Sequence, residues 1–142
     1  MQDPFSLFKS FINIIEAKVQ EIAKENDIEH LAGPQGYAVV YLFKNRDKEV
    51  FIKDIEEKLQ ISKSVASNLI KRMTKNGFIS IIPSSKDRRY KQVVLTTLGL
   101  EKAEAIITFH KTIHEQLLKG VDKTDLEAAC RVFKQIKENL EK

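Results

Sequence analysis

Apolar residues recur along most of this chain at helical spacing and in one place at strand spacing, and the switch between the two periods marks its working part. Across residues 51–59, Ile52, Ile55 and Leu59 fall at three- and four-residue intervals, so they share one helix face while Lys53, Asp54, Glu56 and Lys58 face water. Such a face needs a partner. Ser62 can cap a second helix in which Val65, Leu69, Ile70 and Met73 form an apolar stripe, and Gln60-Ile61 leaves room only for a sharp turn between the two. Asn76-Gly77 suits the end of that helix. The period then changes: residues 78–82 and 91–95 are β-rich runs, and the polar loop 83–90 between them is too long for a two-residue turn. Helix, sharp turn, helix and hairpin are together the parts of a winged helix-turn-helix.

Long amphipathic helices are predicted on both sides of this unit. On the N-terminal side Phe8, Ile12, Ile15, Val19 and Ile22 repeat at about 3.5 residues, with Phe5 and Phe11 broadening the stripe, and the helix fades over residues 25–30. Pro34 is placed to open the next helix, which holds Tyr37, Val40, Tyr41 and Phe43, ends over residues 44–49 and is expected to pack beneath the helix-turn-helix. Gly36 inside it costs about 1 kcal/mol against alanine, a cost that a close approach of another segment would explain. After the hairpin, Thr96 or Thr97 can cap a helix carrying Ala103, Ile106, Ile107, His110, Ile113, Leu117 and Leu118; Asp122 can cap a last one carrying Leu126, Ala129, Cys130, Phe133, Ile136 and Leu140.

The predicted fold is therefore mainly α with a small β wing: one domain over residues 1–142, with a winged helix-turn-helix at 34–95 between dimerisation helices at 5–30 and 97–141. The flanking helices carry more apolar surface than the small winged unit can cover. A twofold homodimer that interlocks them accounts for the excess; a monomer in which they fold back on the winged unit is the alternative.

Charge sharpens the picture. The net charge of +4 is unremarkable, but residues 62–91 hold eight Lys and Arg against Asp87 alone, leaving 16 basic and 19 acidic residues elsewhere. Positive charge is focused on the second helix and the hairpin loop. Lys63, Ser64, Ser67, Asn68, Lys71, Arg72 and Lys75 on the helix are small polar or basic with no acid among them, whereas a merely solvated face mixes both signs, as the preceding helix does. Ser64, Ser67 and Asn68 suit base edges in a major groove, and Lys63, Lys71 and Arg72 suit phosphates. At the loop tip, Lys86, Arg88 and Arg89 suit the negative potential of an adjacent minor groove. Double-stranded DNA is the expected partner, read by two recognition helices as a pseudo-palindrome. A winged module that docks on protein instead would carry an apolar recognition face, and this one carries cations.

The run Arg72-Met73-x-x-x-Gly77-Phe78-Ile79, then a strand, Asp87-Arg88-Arg89, a strand and Leu95-Thr96-x-x-Gly99 resembles the MarR family of winged helix-turn-helix transcriptional regulators over nearly the whole chain. The resemblance implies a dimeric regulator, most often a repressor that blocks RNA polymerase. It matches Asp87 and Arg89 to the family's Asp-x-Arg wing pair, in which the Asp helps hold the wing and the Arg enters the minor groove, and leaves Arg88 a phosphate contact. It also implies a small-molecule effector in a cleft between the winged unit and the dimerising helices; Phe11, Ile15, Tyr37, Tyr41 and Ile107 can line such a cleft, and simple core packing explains them equally well. Some relatives sense oxidants through a cysteine near the start of the first helix, where this chain has none.

Other chemistry finds little support. His110 and His114 are spaced i, i+4, as in two-imidazole zinc sites, and His30 beside Glu29 could approach them. With no HExxH arrangement and no nearby cysteine the expectation is no metal and no cofactor, a zinc-responsive regulator being the alternative. The lone Cys130, at apolar-face spacing, is expected buried and excludes an internal disulfide. No nucleophile elbow, Walker loop or dinucleotide fingerprint occurs, so no enzyme is expected. With no long apolar run and no basic start to Met1-Gln2-Asp3-Pro4, the expected location is cytoplasmic, with no membrane partner.

Overall fold

A computed structural model describes residues 3–31 and 33–142, so Met1 and Gln2 of the N-terminal stretch lie outside the described residues. The elements run α1 (Pro4–Glu25), a 3-10 turn (Glu29–Leu31), α2 (Pro34–Lys44), α3 (Ile52–Leu59), α4 (Lys63–Lys75), β1 (Ile79–Pro83), β2 (Lys91–Leu95), α5 (Thr97–Leu117) and α6 (Lys123–Leu140). They form two compact units, residues 1–110 and 111–142. The mainly helical fold with a two-stranded antiparallel wing is the one the apolar periods predict.

Local chemistry sets the boundaries in the first unit. Asp3 caps α1 by accepting from the Phe5 N–H at 3.3 Å, and Pro34 opens α2. Phe51 precedes α3, and Asp54 in its first turn accepts from the Phe51 N–H at 2.8 Å, half of a capping box. Gln60, at φ 55°, makes the sharp turn in the left-handed region. Ser62 caps α4 by accepting from the Val65 N–H at 3.2 Å. Thr96, the cap of α5, accepts from the Gly99 N–H at 3.0 Å and donates to the carbonyl of Gly77.

The core lies where α2, α3, α4 and the wing meet: Val39, Leu42, Ile55, Ala66, Leu69, Met73 and Val93 are buried, joined from α5 by Ala103 and Ile106. The strands pair from Ile79 with Leu95 to Pro83 with Lys91. Residues ahead of α3 extend this sheet, because the Val93 N–H donates to Val50 O at 2.7 Å and Phe51 bridges Gln92. The wing is thus rooted in the helical scaffold as well as in its own hairpin.

Two glycines mark close approaches. A side chain at Gly36 would strike the carbonyl of Leu31, so bare backbone lets α2 lie against the 3-10 turn. A side chain at Gly99 would strike the carbonyl of Phe78, which explains the glycine of the Leu-Thr-x-x-Gly junction.

Three expectations about burial need correction. Val65 is 49% exposed, and Ala66 takes its place in the core; a stripe read at three- and four-residue steps cannot tell which flank of a 13-residue helix meets its neighbours. Phe109 is buried in α5 where the stripe named only its neighbours. Cys130 is exposed, on a helix without one buried residue.

Candidate nucleic-acid interface

Burial of Ala66, Leu69, Ile70 and Met73 turns the opposite side of α4 outward, and Lys63, Ser64, Ser67, Asn68, Lys71, Arg72 and Lys75 are all exposed. At 100° per residue Ser64, Asn68, Lys71 and Lys75 form the centre of that face, with Ser67 and Arg72 on its flanks and Lys63 near the rim. Among the described residues none of these cations is paired with an acid. Val65, Asn68 and Arg72 fall at i, i+3 and i+7, so the exposed valine shares a stripe with an amide and a guanidinium. Sequence reasoning missed Val65 because an apolar residue on an amphipathic helix counts by default toward the core. At the far end of α4, Asn76 donates to Gln35 at 3.1 Å, tying the helix to the start of α2.

The wing tip carries its cations outward. Lys86, Arg88 and Arg89 are exposed, and the Arg89 side chain retains 86% of its free surface. Asp87 holds that side chain from two residues away: Arg89 Nη2 donates to Oδ2 at 2.7 Å and Nε to Oδ1 at 3.1 Å, while the Arg89 N–H donates to Oδ1 at 3.0 Å. These bonds, the guanidinium's first, hold the Asp87 carboxyl below its ordinary range, and the carboxylate pushes the Arg89 guanidinium up. The guanidinium is preoriented while its outer face stays open.

Glu49, between α2 and α3, clasps the base of the loop. Its carboxylate accepts from the hydroxyls of Ser84 and Ser85 and from the Ser85 N–H, each at 2.6 Å, and these donors hold its carboxyl below the ordinary range. Nothing in the run Lys44-Asn45-Arg46-Asp47-Lys48-Glu49 singles out this acid, because its partners are 35 and 36 residues away.

Tyr37 and Tyr41 line an open cavity of about 610 Å³ together with Lys44, Leu59 and His110. The Tyr37 and His110 rings stand 5.8 Å apart. Phe11, Ile15 and Ile107 do not line this cavity; Phe11 is half exposed on α1, and the other two are half-buried. His114 is exposed one turn beyond His110 on α5, and His30 is exposed in the 3-10 turn. Among the described residues no three His, Cys, Asp or Glu side chains gather as a metal site, and no helix is long and apolar enough to cross a membrane.

Comparison with known proteins agrees with this geometry. An uncharacterized HTH-type transcriptional regulator of Methanocaldococcus jannaschii is 31% identical over 97 residues, which span 66% of this chain and 73% of that protein. The HTH-type transcriptional repressor IacR of Pseudomonas putida is 25% identical over 97 residues, 68% of this chain and 58% of that protein. The crystal structure of the heme sensor protein PefR from Streptococcus agalactiae in complex with heme superposes with a TM-score of 0.82 at 45% identity, covering 98% of this chain and 95% of that one. The sequence model of the MarR family matches residues 33–89, which hold the helix-turn-helix and the wing through Arg89. The chain belongs to the MarR family of transcriptional regulators.

Proposed function

We propose that the protein acts in the cytoplasm as a homodimeric repressor that reads a pseudo-palindromic duplex. The observation that carries this reading is the acid-free outer face of α4, continued by a wing whose Arg89 is preoriented and open. Ser64, Ser67 and Asn68 meet base edges, Val65 offers an apolar contact to a thymine methyl group, and Lys63, Lys71 and Arg72 meet phosphates. Arg89 enters the flanking minor groove, with Lys86 and Arg88 on the adjoining backbone. Repression is the role of the relative IacR, by its name.

The dimer rests on surface that one chain leaves uncovered. On α1, Phe5 is 72% and Ile14 66% exposed; on α6, Val132 is 51% and Leu140 80% exposed. Helices of this composition gain about 25 cal/mol per Å² of apolar surface removed from water, and a second copy supplies the matching face. Hydroxyl-radical footprinting on the duplex upstream of the protein's own coding region tests the whole reading. Two protected half-sites about one helical turn apart, with minor-groove protection beyond each, are the expected pattern; protection spread evenly along the duplex would overturn it.

The relation to PefR supports heme as the effector. The residues present fit such a ligand: α5 carries the imidazoles of His110 and His114 one turn apart, and His110 lines a cavity with the aromatic walls Tyr37 and Tyr41 and the cation Lys44, which suits a propionate. His110 or His114 would hold a bound heme through an imidazole nitrogen, and the group would supply an iron centre whose visible absorption reports its ligands. Titration of hemin into the protein should give a sharpened Soret band that His110→Ala or His114→Ala removes and should release the duplex. A Soret spectrum unaltered in both variants would overturn ligation from α5.

A further inference from the structure

The wing's DNA-contacting arginine is at one end of a hydrogen-bond chain that begins outside the wing. Glu49 belongs to the segment between α2 and α3, beside Val50 and Phe51, whose backbone joins β2. Its Oε2 accepts from the Ser84 hydroxyl at 2.6 Å. That serine is 4% exposed, the one polar residue of the described chain buried so far, and its hydroxyl oxygen in turn accepts from the N–H groups of Lys86 at 3.1 Å and Asp87 at 3.4 Å. Asp87 then holds the Arg89 guanidinium through two of its nitrogens. On the other side of the loop, Gln92 donates to Glu49 Oε1 at 3.3 Å and to the Pro83 carbonyl at 3.2 Å, so the same carboxylate gathers both ends of the wing.

An acid at this place asks for a reason. It lies beside a loop whose cations are placed to meet phosphates, where a negative charge opposes association. Four donors within the protein take up its oxygens, so the acid serves what it holds rather than what the loop meets. Charge-assisted bonds of this kind are also the short, directional ones, suited to fixing geometry. We propose that Glu49 is a positioning residue for DNA recognition: through Ser84 and Asp87 it fixes the direction in which Arg89 leaves the wing, while itself touching no DNA.

The proposal rests on the reading that Arg89 contacts the minor groove, and a thermodynamic cycle separates the two. Affinity for the upstream duplex is measured by fluorescence anisotropy for the wild-type protein, Arg89→Ala, Glu49→Ala and the double variant, with Ser84→Ala as an independent cut one bond further along. Arg89→Ala is expected to weaken binding roughly 5- to 100-fold. Glu49→Ala and Ser84→Ala are expected to weaken it by no more than that, and Arg89→Ala added to either should leave affinity within about twofold of Arg89→Ala alone, the margin within which independent effects are resolved. Amide exchange at Lys86 and Asp87 should quicken in Glu49→Ala while α4 keeps its protection, showing a loosened wing on an intact fold. Losses that multiply in the double variant, wild-type affinity in both Glu49→Ala and Ser84→Ala, or unchanged exchange at Lys86 and Asp87 would overturn the proposal. Wild-type affinity in Arg89→Ala would overturn the minor-groove reading itself, and the proposal with it.

Discussion

At the scale of single residues, the outer face of α4 is defined by what it leaves out as much as by what it displays. Four cations lie on or beside the outer face of α4 without an acid to neutralise them, and each phosphate contact a cation makes releases a counterion. Replacing Lys71 with alanine should therefore lower the salt slope of operator binding by about one unit and weaken all duplexes alike. Val65→Ser should instead lose about 1–3 kcal/mol only on duplexes that place thymine opposite it. Comparing the two variants on operators with single base changes checks both assignments. The carboxyls of Glu49 and Asp87 make a further prediction. Both are held below their ordinary range in the folded chain, so their hold on the wing is complete above the unfolded-chain values of about 4.3 and 3.9 and is lost only as pH falls through the lower folded values. Carboxyl NMR should show both groups titrating at lower pH in the native protein than in urea; equal midpoints would remove the clasp. That the basic and small polar residues of α4 and the wing tip lie on the exposed side was legible in the sequence, because charge focusing is a one-dimensional signal. Val65 and Glu49 were not, since exposure and long-range partners exist only after folding.

Among the elements, the boundaries were the most legible feature, because caps and breakers act within four residues of themselves. Ser62, Pro34 and Thr96 do what their chemistry requires. The glycines follow a different logic, in which a local penalty is offset by a contact that the sequence does not display. Gly36 allows α2 to pass the Leu31 carbonyl, so Gly36→Ala should destabilise the fold by about 1–3 kcal/mol even though alanine favours an isolated helix by about 1 kcal/mol. Thermal or urea denaturation reads the sign directly, and a stabilised Gly36→Ala protein would mean that the 3-10 turn yields to the added methyl group. Burial faces were only partly legible for the same reason: α4 has one apolar flank on the core and one in solvent, and the period alone does not distinguish them.

For the whole molecule, the helices outside the winged unit hold the largest apolar debt to solvent. The exposed Ile14 on α1 and Val132 on α6 should lie within the interface between two copies, so Ile14→Asp or Val132→Asp should shift the protein from dimer to monomer in light scattering. If a dimer sets two recognition helices on one duplex, as proposed, the same variants should lose most of the operator affinity while keeping their helical content. The surplus of apolar stripe was visible in the sequence, whereas the choice of its partner is a property of assembly that no single chain contains. Sequence-specific binding is the property on which the role of the whole molecule depends most directly. Fluorescence-anisotropy titration of a labelled duplex from the protein's own upstream region, against a scrambled duplex at two salt concentrations, measures it. Tighter binding to the native duplex by several orders of magnitude with a steep fall in added salt is the predicted result. Equal, weak and salt-independent binding to both duplexes would contradict it, and would mean that the cationic face of α4 serves some other partner.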